Sequence, residues 1–217
     1  MNEEDLKNIA HQLSKPDGEA GIQMGEMMNA TNFAMTSDCI DQIDLKDNGS
    51  VLEIGHGNCG HLDYLLGKAG NLKYIGLEIS SLMSEEAKKM NSRFLSQDVE
   101  FLLYDGMKLP FGGATFDAVF TVNTIYFWNE PQDFFKEIYR VLKKDGKLLI
   151  TMADKSFMGK LPFTKYVFNL YETTEVEKLA ENAGFEITEV KENTDEVRSK
   201  AGDLVTRKFY TLAFIKK

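Results

Sequence analysis

The stretch VLEIGHGNCGH, residues 51–61, decides how this chain folds. An apolar run comes first, and Gly55, Gly57 and Gly60 follow it within a few positions. Glycine allows tight turns and close backbone approaches that other residues resist, so the pattern predicts a loop leaving a buried strand. If a helix follows, its free N–H groups make this loop suitable for a nucleotide-like ligand.

The overall composition is that of one globular domain. The 217 residues are 43% hydrophobic and 27% charged, which is enough for a core without disulfides. The net charge of −9 argues against nucleic acid as a general partner. The 2 cysteines form no metal-binding motif, so we expect no metal and a reducing compartment. The acidic start is not typical of a signal peptide and no apolar run suits a bilayer, so we expect a cytoplasmic protein without membrane contact.

Hydrophobic periodicity changes along the chain. The first 45 residues have helical spacing, with a break at 15–18. Strand patterns then alternate with helical ones. The predicted strands are 51–54, 73–78, 99–104, 116–122 and 147–152, and the predicted helices are 60–69, 81–93 and 131–143, the last with Lys143, Lys144 and Gly146 at its end. Such an alternation indicates a parallel sheet covered on both faces.

Two further strands close the chain after one more helix. No helix separates them, so they should form an antiparallel hairpin, with the polar run 189–203 as its tip. The predicted fold is therefore α/β: a Rossmann-like, seven-stranded, mostly parallel sheet with an antiparallel C-terminal hairpin and helices on both faces.

The glycines match the GxGxxG dinucleotide pattern, which both nicotinamide and S-adenosylmethionine sites use. Glu78 ends the second predicted strand, where a carboxylate can accept hydrogen bonds from two ribose hydroxyls. Glu53 favours S-adenosylmethionine, because an anion beside the loop suits a cationic ligand better than a pyrophosphate. Asp105 ends the third strand and could accept a hydrogen bond from an adenine amine.

Several spaced motifs carry a resemblance to a known family. They are VLEIGHGNCG (51–60), YIGLEIS (74–80), YDGMKLPF (104–111), FDAVFTVNTIYFW (116–128) and EIYRVLKKDGKLLIT (137–151). Over residues 50–152 the chain resembles class I S-adenosylmethionine-dependent methyltransferases of the small-molecule, methyltransferase 11-like type. The resemblance implies S-adenosylmethionine as the cofactor and a small-molecule methyl acceptor as the partner.

The resemblance also implies roles for particular residues. Those expected around the cofactor are Glu53, Gly55 and Gly57 at the methionine end, Glu78 at the ribose, Ile79, Asp105, Gly106 and Met107 at the adenine, and Asn123 closing the pocket. The family usually has glycine where this chain has Cys59. A cysteine disfavours positive φ, so we do not expect a left-handed backbone there.

In this fold the N-terminal segment covers the cofactor. The resemblance thus divides the chain into a helical lid, residues 1–45, and a methyltransferase domain, residues 46–217, within one compact unit. Met27, Met28 and Asn32 would contact S-adenosylmethionine, although methionines also fill irregular core gaps.

The implied reaction is direct displacement of the sulfonium methyl by an acceptor lone pair. His56 and Tyr126 are candidates for a base or an acceptor contact, with a loop position for His56 and core packing for Tyr126 as the alternatives. His61 is expected on a helix surface. Two other functions stay open: an NAD(P)-dependent oxidoreductase, which requires a second domain or a Tyr-x-x-x-Lys pair, and a non-catalytic S-adenosylmethionine-binding protein. The chain is short for two domains, and we expect no such pair between the fourth and fifth strands.

Overall fold

A seven-stranded sheet organises the chain. The computed structural model describes residues 2–95, 98–198 and 204–217. The strands are β1 Ser50–Ile54, β2 Lys73–Glu78, β3 Val99–Leu103, β4 Phe116–Val122, β5 Leu142–Ala153, β6 Phe185–Arg198 and β7 Leu204–Lys216.

The strand order is β3-β2-β1-β4-β5-β7-β6. Strands β1 to β5 pair in parallel, while β7 runs antiparallel to both β5 and β6. The predicted fold class is confirmed, including the hairpin. The hairpin pairs from Phe185 with Lys216 to Arg198 with Leu204. The tip was expected over 189–203, but residues 189–198 belong to β6, and 199–203 lie outside the described residues.

Helices cover both faces of the sheet. They are α1 Glu3–Ser14, α2 Gly18–Ile43, α3 Leu62–Leu66, α4 Ser81–Met90, α5 Pro131–Val141, α6 Lys155–Met158 and α7 Thr173–Asn182, with short 3₁₀ turns at Ser92–Phe94, Ile125–Phe127 and Pro162–Lys165. Leu52 and Ile54 belong to the core that includes α5 and α7. Val51 and Tyr74 point the other way, into the core that includes α3 and α4. Alternate side chains of β1 therefore pack into two hydrophobic layers, one on each face of the sheet.

Local signals place several helix ends. Asn2 caps α1, because its side chain accepts from the Asp5 amide while the Asp5 carboxylate accepts from the Asn2 amide. Pro131 begins α5, where its missing N–H costs nothing. None of the helices in the described ranges combines the length and apolar character needed to cross a bilayer.

Three predicted helix boundaries were wrong. The helix expected over 81–93 ends at Met90. The helix expected over 60–69 is only Leu62–Leu66, because the glycine loop runs up to it. The helix expected to end in Lys143, Lys144 and Gly146 ends at Val141, and the chain continues directly as β5. Residues 143–146 lie at a bulge in the β4–β5 pairing, where the register shifts. This polar segment therefore belongs to a strand and not to the end of a helix.

Candidate functional site

A cavity opens at the carboxyl ends of β1, β2 and β4, and the N-terminal helices line its other side. It encloses about 1000 Å³, counted to include its opening to solvent. Its lining is Leu13, Ser14, Pro16, Gly25, Met28, Asn29, Asn32, Thr36, Glu53, Ile54, Gly55, His56, Gly57, Asn58, His61, Glu78, Ile79, Met83, Tyr104, Gly106, Val122, Asn123, Thr124, Phe127 and Trp128. A crevice at these strand ends is where doubly wound sheets hold ligands.

The loop after β1 has three left-handed positions. Gly55 has φ +73°, Gly57 +57° and Cys59 +51°. At Gly55 a Cβ would lie 2.4 Å from Thr124 Cγ2, so glycine is required for space as well as for conformation. The expectation for Cys59 was wrong. Its amide donates to the His56 carbonyl and its carbonyl accepts from Asn91 Nδ2, and these bonds hold the backbone in the unfavourable conformation.

The Glu78 carboxylate joins this loop to the start of α4. Oε2 accepts from the Gly57 amide at 3.0 Å, and Oε1 accepts from the amides of Ile79 at 2.8 Å and Ser80 at 3.0 Å. Burial raises the pKa of Glu78, although the backbone donors oppose the shift. The side chain is buried at the cavity wall, as its position at the end of β2 predicts.

Glu53 also reaches the cavity, in a network that the sequence did not indicate. Oε2 accepts from His61 Nε2 at 2.9 Å and from the Tyr74 hydroxyl. His61 is buried, with 6% of its surface exposed, so its expected place on a helix surface was wrong. Burial acts against the imidazolium, but the Glu53 carboxylate outweighs it and holds the pKa of His61 well above its ordinary value.

Glu53, Cys59 and His61 have metal-ligating side chains whose donor atoms lie within 4.8 Å of one another. A tetrahedral zinc ion would hold its nitrogen and oxygen ligands ~3.4 Å apart. The 2.9 Å between His61 Nε2 and Glu53 Oε2 is instead the length of a direct hydrogen bond. The three side chains therefore belong to a hydrogen-bonded network.

The two candidate catalytic side chains are both packed. The His56 ring lies 4.9 Å from that of Phe101, and burial lowers the pKa of His56 to about 4, so the ring is neutral. The hydroxyl of Tyr126 donates to Asn123 Oδ1 and accepts from the Ala153 amide at 2.7 Å. Tyr126 does not line the cavity, and its bonds fit the structural alternative.

Asp105, which follows the third strand, does not lie in the cavity as expected. Asp105 is exposed, and its carboxylate accepts from the amides of Met107 at 2.8 Å and Lys108 at 3.0 Å. These amides lower the pKa of Asp105. Asp105 and Met107 are absent from the cavity lining, whereas Gly106 is present. The short side chain caps its own turn, so only two of the three expected carboxylates share the cavity.

Helix α2 presents one face to the cavity. Gly25, the adjacent pair Met28 and Asn29, Asn32 and Thr36 recur every three or four residues, so a search for helical spacing could have found the whole set. Asn32 was predicted and lines the cavity. Met27 was also predicted, but it points away and is 44% exposed, because it lies off this face.

Asn123 follows β4 and lines the cavity as predicted. Its backbone is left-handed, with φ +57°, and its side chain donates to the Met35 sulfur at 3.4 Å. An asparagine tolerates this conformation better than most residues.

The expectation that no Tyr-x-x-x-Lys pair lies between the fourth and fifth strands was wrong, because Tyr139 and Lys143 have this spacing. The Tyr139 hydroxyl donates to the Lys217 carbonyl, and Lys143 bonds Asp117 at the start of β4. Neither residue lines the cavity, because both lie toward the amino ends of the parallel strands.

The sequence of the chain is similar to that of known proteins. Residues 52–150 match a family described as a methyltransferase domain. The resemblance predicted from the sequence motifs is therefore confirmed, and the sheet has the fold of S-adenosylmethionine-dependent methyltransferases.

One relative of this chain is a much longer protein. Phosphoethanolamine N-methyltransferase 3 of Arabidopsis thaliana is 28% identical over 184 residues, which are 82% of this chain but 36% of that protein. The chain thus spans about a third of the length of that relative.

Solved structures agree on the fold. The methyltransferase bound to the Trm112 methyltransferase activator of Haloferax volcanii has a TM-score of 0.73 at 16% identity, covering 92% of this chain and 96% of its own. Phosphoethanolamine N-methyltransferase 2 of Haemonchus contortus, in complex with phosphomonomethylethanolamine and S-adenosylhomocysteine, has a TM-score of 0.70 at 17% identity, covering 89% of this chain and 57% of its own.

Proposed function

We propose that the protein transfers a methyl group from S-adenosylmethionine to a small-molecule acceptor. One observation carries the proposal: Glu53 and Glu78, from neighbouring parallel strands, line the same cavity below the glycine loop. S-adenosylmethionine has a sulfonium, an ammonium and a ribose diol, which are groups that carboxylates bind. Bound there, it would supply a methyl group that an acceptor lone pair takes by direct displacement.

Roles follow for the residues that line the cavity. Glu78 Oε2, which accepts only from the Gly57 amide, would accept from a ribose hydroxyl, and Glu53 would face the cationic methionine end. Gly55 and Gly57 allow the backbone to approach the ligand closely. Ile79 and Gly106 would contact the adenine, while Asn123 and Asn32 would close the pocket. Asp105 and Met107 are left out of this assignment, because their side chains lie outside the cavity.

The chain's contribution to the reaction would be positioning. An aligned acceptor and methyl group can gain ~7–11 kcal/mol from orientation alone. Helices α1 and α2 line the outer side of the cavity through Leu13, Ser14, Asn29 and Asn32. We propose that this N-terminal segment acts as the lid that orders the acceptor and limits water.

Calorimetry with S-adenosylmethionine tests the proposal. The parent protein should bind it saturably, and Glu78→Ala should weaken binding by roughly 1.5–3 kcal/mol, the contribution of a hydrogen bond to a charged group. Glu85→Ala, which removes an exposed glutamate from α4, is the matched control and should bind like the parent. Absence of heat with both S-adenosylmethionine and S-adenosylhomocysteine would contradict the proposal.

The two other functions predict different results. An oxidoreductase would shift the fluorescence of a reduced nicotinamide cofactor on mixing, and we expect no shift. A non-catalytic binding protein would bind S-adenosylmethionine without turnover across a broad panel of amines, alcohols and thiols, whereas we expect S-adenosylhomocysteine to form with at least one of them.

The charged side chains that line the cavity restrict the charge of the methyl acceptor. Its lining contains no lysine or arginine among the described residues. It contains two carboxylates, a neutral His56 and a His61 already bound to Glu53. The asparagines of the lining offer only neutral N–H donors, whereas a phosphate is held most strongly by cationic donors such as Arg and Lys. We therefore infer that the acceptor is uncharged or cationic, unlike the phosphorylated amine in the names of the relatives.

A matched pair of ligands tests this inference. With S-adenosylhomocysteine bound, phosphoethanolamine should give no calorimetric binding at millimolar concentration, and it should not be methylated in preference to ethanolamine. Asn29→Lys, which places a cation on the cavity wall, should increase the affinity for phosphoethanolamine. Preferential binding or methylation of phosphoethanolamine by the parent would overturn the inference.

A further inference from the structure

The two oxygens of the Glu53 carboxylate have different surroundings. Both protein hydrogen bonds fall on Oε2, from His61 Nε2 and from the Tyr74 hydroxyl. Oε1 has no hydrogen-bond partner among the described residues, and Glu53 lines the cavity. One oxygen is thus held inside the protein, while the other remains available to a ligand.

The donors to Oε2 are themselves fixed. Tyr74 is fully buried in β2, and its ring packs edge-on to Phe101. The Tyr74 proton goes to Glu53, so the thiol of Cys59, 3.2 Å away, donates to the Tyr74 oxygen. His61 immediately precedes the short helix α3 and is buried below the loop. The left-handed backbone at Cys59 places its thiol in this network.

We propose that His61 and Tyr74 are positioning residues that turn Glu53 so that Oε1 faces the cationic methionine end of S-adenosylmethionine. This inference rests on the proposed function and goes beyond it, because neither residue would need to touch the cofactor. His61 and Tyr74, with Glu53, are called the Glu53 clamp below.

The clamp also keeps the carboxylate ionised. Burial acts against ionisation of Glu53, but His61 and Tyr74 outweigh it and lower its pKa. The other titratable groups around Glu53 are His56, Cys59, Glu78 and Cys39, and His56 also feels Lys88 of α4. Without His61, less opposes the rise in pKa that burial causes, so Glu53 takes up a proton more readily.

The experiment measures the affinity for S-adenosylmethionine by calorimetry from about pH 8 to about pH 5.5. Tyr74→Phe and His61→Leu should each bind about tenfold more weakly at neutral pH. For His61→Leu the ratio of variant to parent affinity should fall further as the pH decreases. The ratio is used because Glu78 is present in both proteins. His61→Gln, which keeps an N–H donor, should recover part of the affinity.

His11→Gln is the matched control, because His11 is exposed on α1, and it should bind like the parent at every pH. If His61→Leu does not fold, Tyr74→Phe still tests the clamp, since it keeps the buried ring. Parent-like affinity in Tyr74→Phe, or an affinity ratio for His61→Leu that is unchanged with pH, would overturn the inference. Failure of the parent to bind S-adenosylmethionine would instead contradict the proposed function.

Discussion

At the scale of single residues, the loop after β1 depends on positions without a side chain. Gly55 adopts a φ of +73°, which L residues rarely adopt, and it faces Thr124 at a distance that leaves no room for a methyl group. Thr124 in turn contacts Thr121 of β4 through its hydroxyl, so it is not free to move aside. Conformation and packing therefore both select glycine at this position.

We predict that Gly55→Ala destabilises the protein by about 1–3 kcal/mol, because the new methyl forces both strain and overpacking. Urea unfolding followed by circular dichroism measures this change. Gly112→Ala is the control: its φ is not positive, and its Cβ would lie 3.9 Å from the nearest atom outside its chain neighbours. Equal midpoints for Gly55→Ala and the parent would refute the prediction.

At the scale of elements, the terminal hairpin holds helix α2. Arg207 of β7 pairs with Asp195 of β6 through two nitrogens, at 3.0 and 2.6 Å, and both side chains are largely buried. The same guanidinium donates to Asn32 Oδ1 and to the Thr31 carbonyl. Because Asn32 lines the cavity, the hairpin fixes one wall of the candidate site.

Arg207→Leu should therefore destabilise the protein by ~3–5 kcal/mol, since it leaves the Asp195 carboxylate buried without a partner. The double variant Arg207→Leu/Asp195→Leu should recover part of this loss in urea unfolding. Lys208→Leu removes the neighbouring, exposed pair with Glu192 and should change stability by less than about 1 kcal/mol. A similar loss from Arg207→Leu and Lys208→Leu would contradict this account of the hairpin.

At the scale of the whole molecule, the last strand occupies an interior place in the sheet. Strand β7 lies between β5 and β6, so both of these strands depend on it for hydrogen bonds. Helix α1 instead packs at the periphery, against α2 and the turn at Pro162–Lys165. The two ends of the chain should therefore tolerate deletion very differently.

Removal of residues 204–217 should abolish cooperative unfolding, because it breaks both pairings of the hairpin and exposes the edge of β5. Removal of residues 1–14 should preserve cooperative unfolding but weaken ligand binding, since Leu13 and Ser14 line the cavity. Thermal circular dichroism and size-exclusion chromatography distinguish these outcomes. A cooperative transition in the protein lacking 204–217 would show that β7 is not essential.

Much of the architecture can be predicted from the sequence, because it depends on near neighbours. The period of apolar residues indicates five parallel strands and their helices, and the absence of a helix between the last two strands indicates the hairpin. Gly55 and Gly57 reveal the loop, and Glu78 follows from its place at the end of a strand. Boundaries were less accurate where tertiary pairing overrode local propensity, as at Lys143 and Gly146 in β5.

The direction of individual side chains was decided only by the tertiary structure. Asp105 was expected in the cavity but caps its own turn, and His61 was expected in solvent but bonds Glu53. Arg207 reaches Asn32 across 175 positions of sequence. Local patterns determine which elements form, because backbone conformation depends on adjacent residues. Which polar groups meet depends on strand register and helix rotation, and these are set by the packing of the entire core.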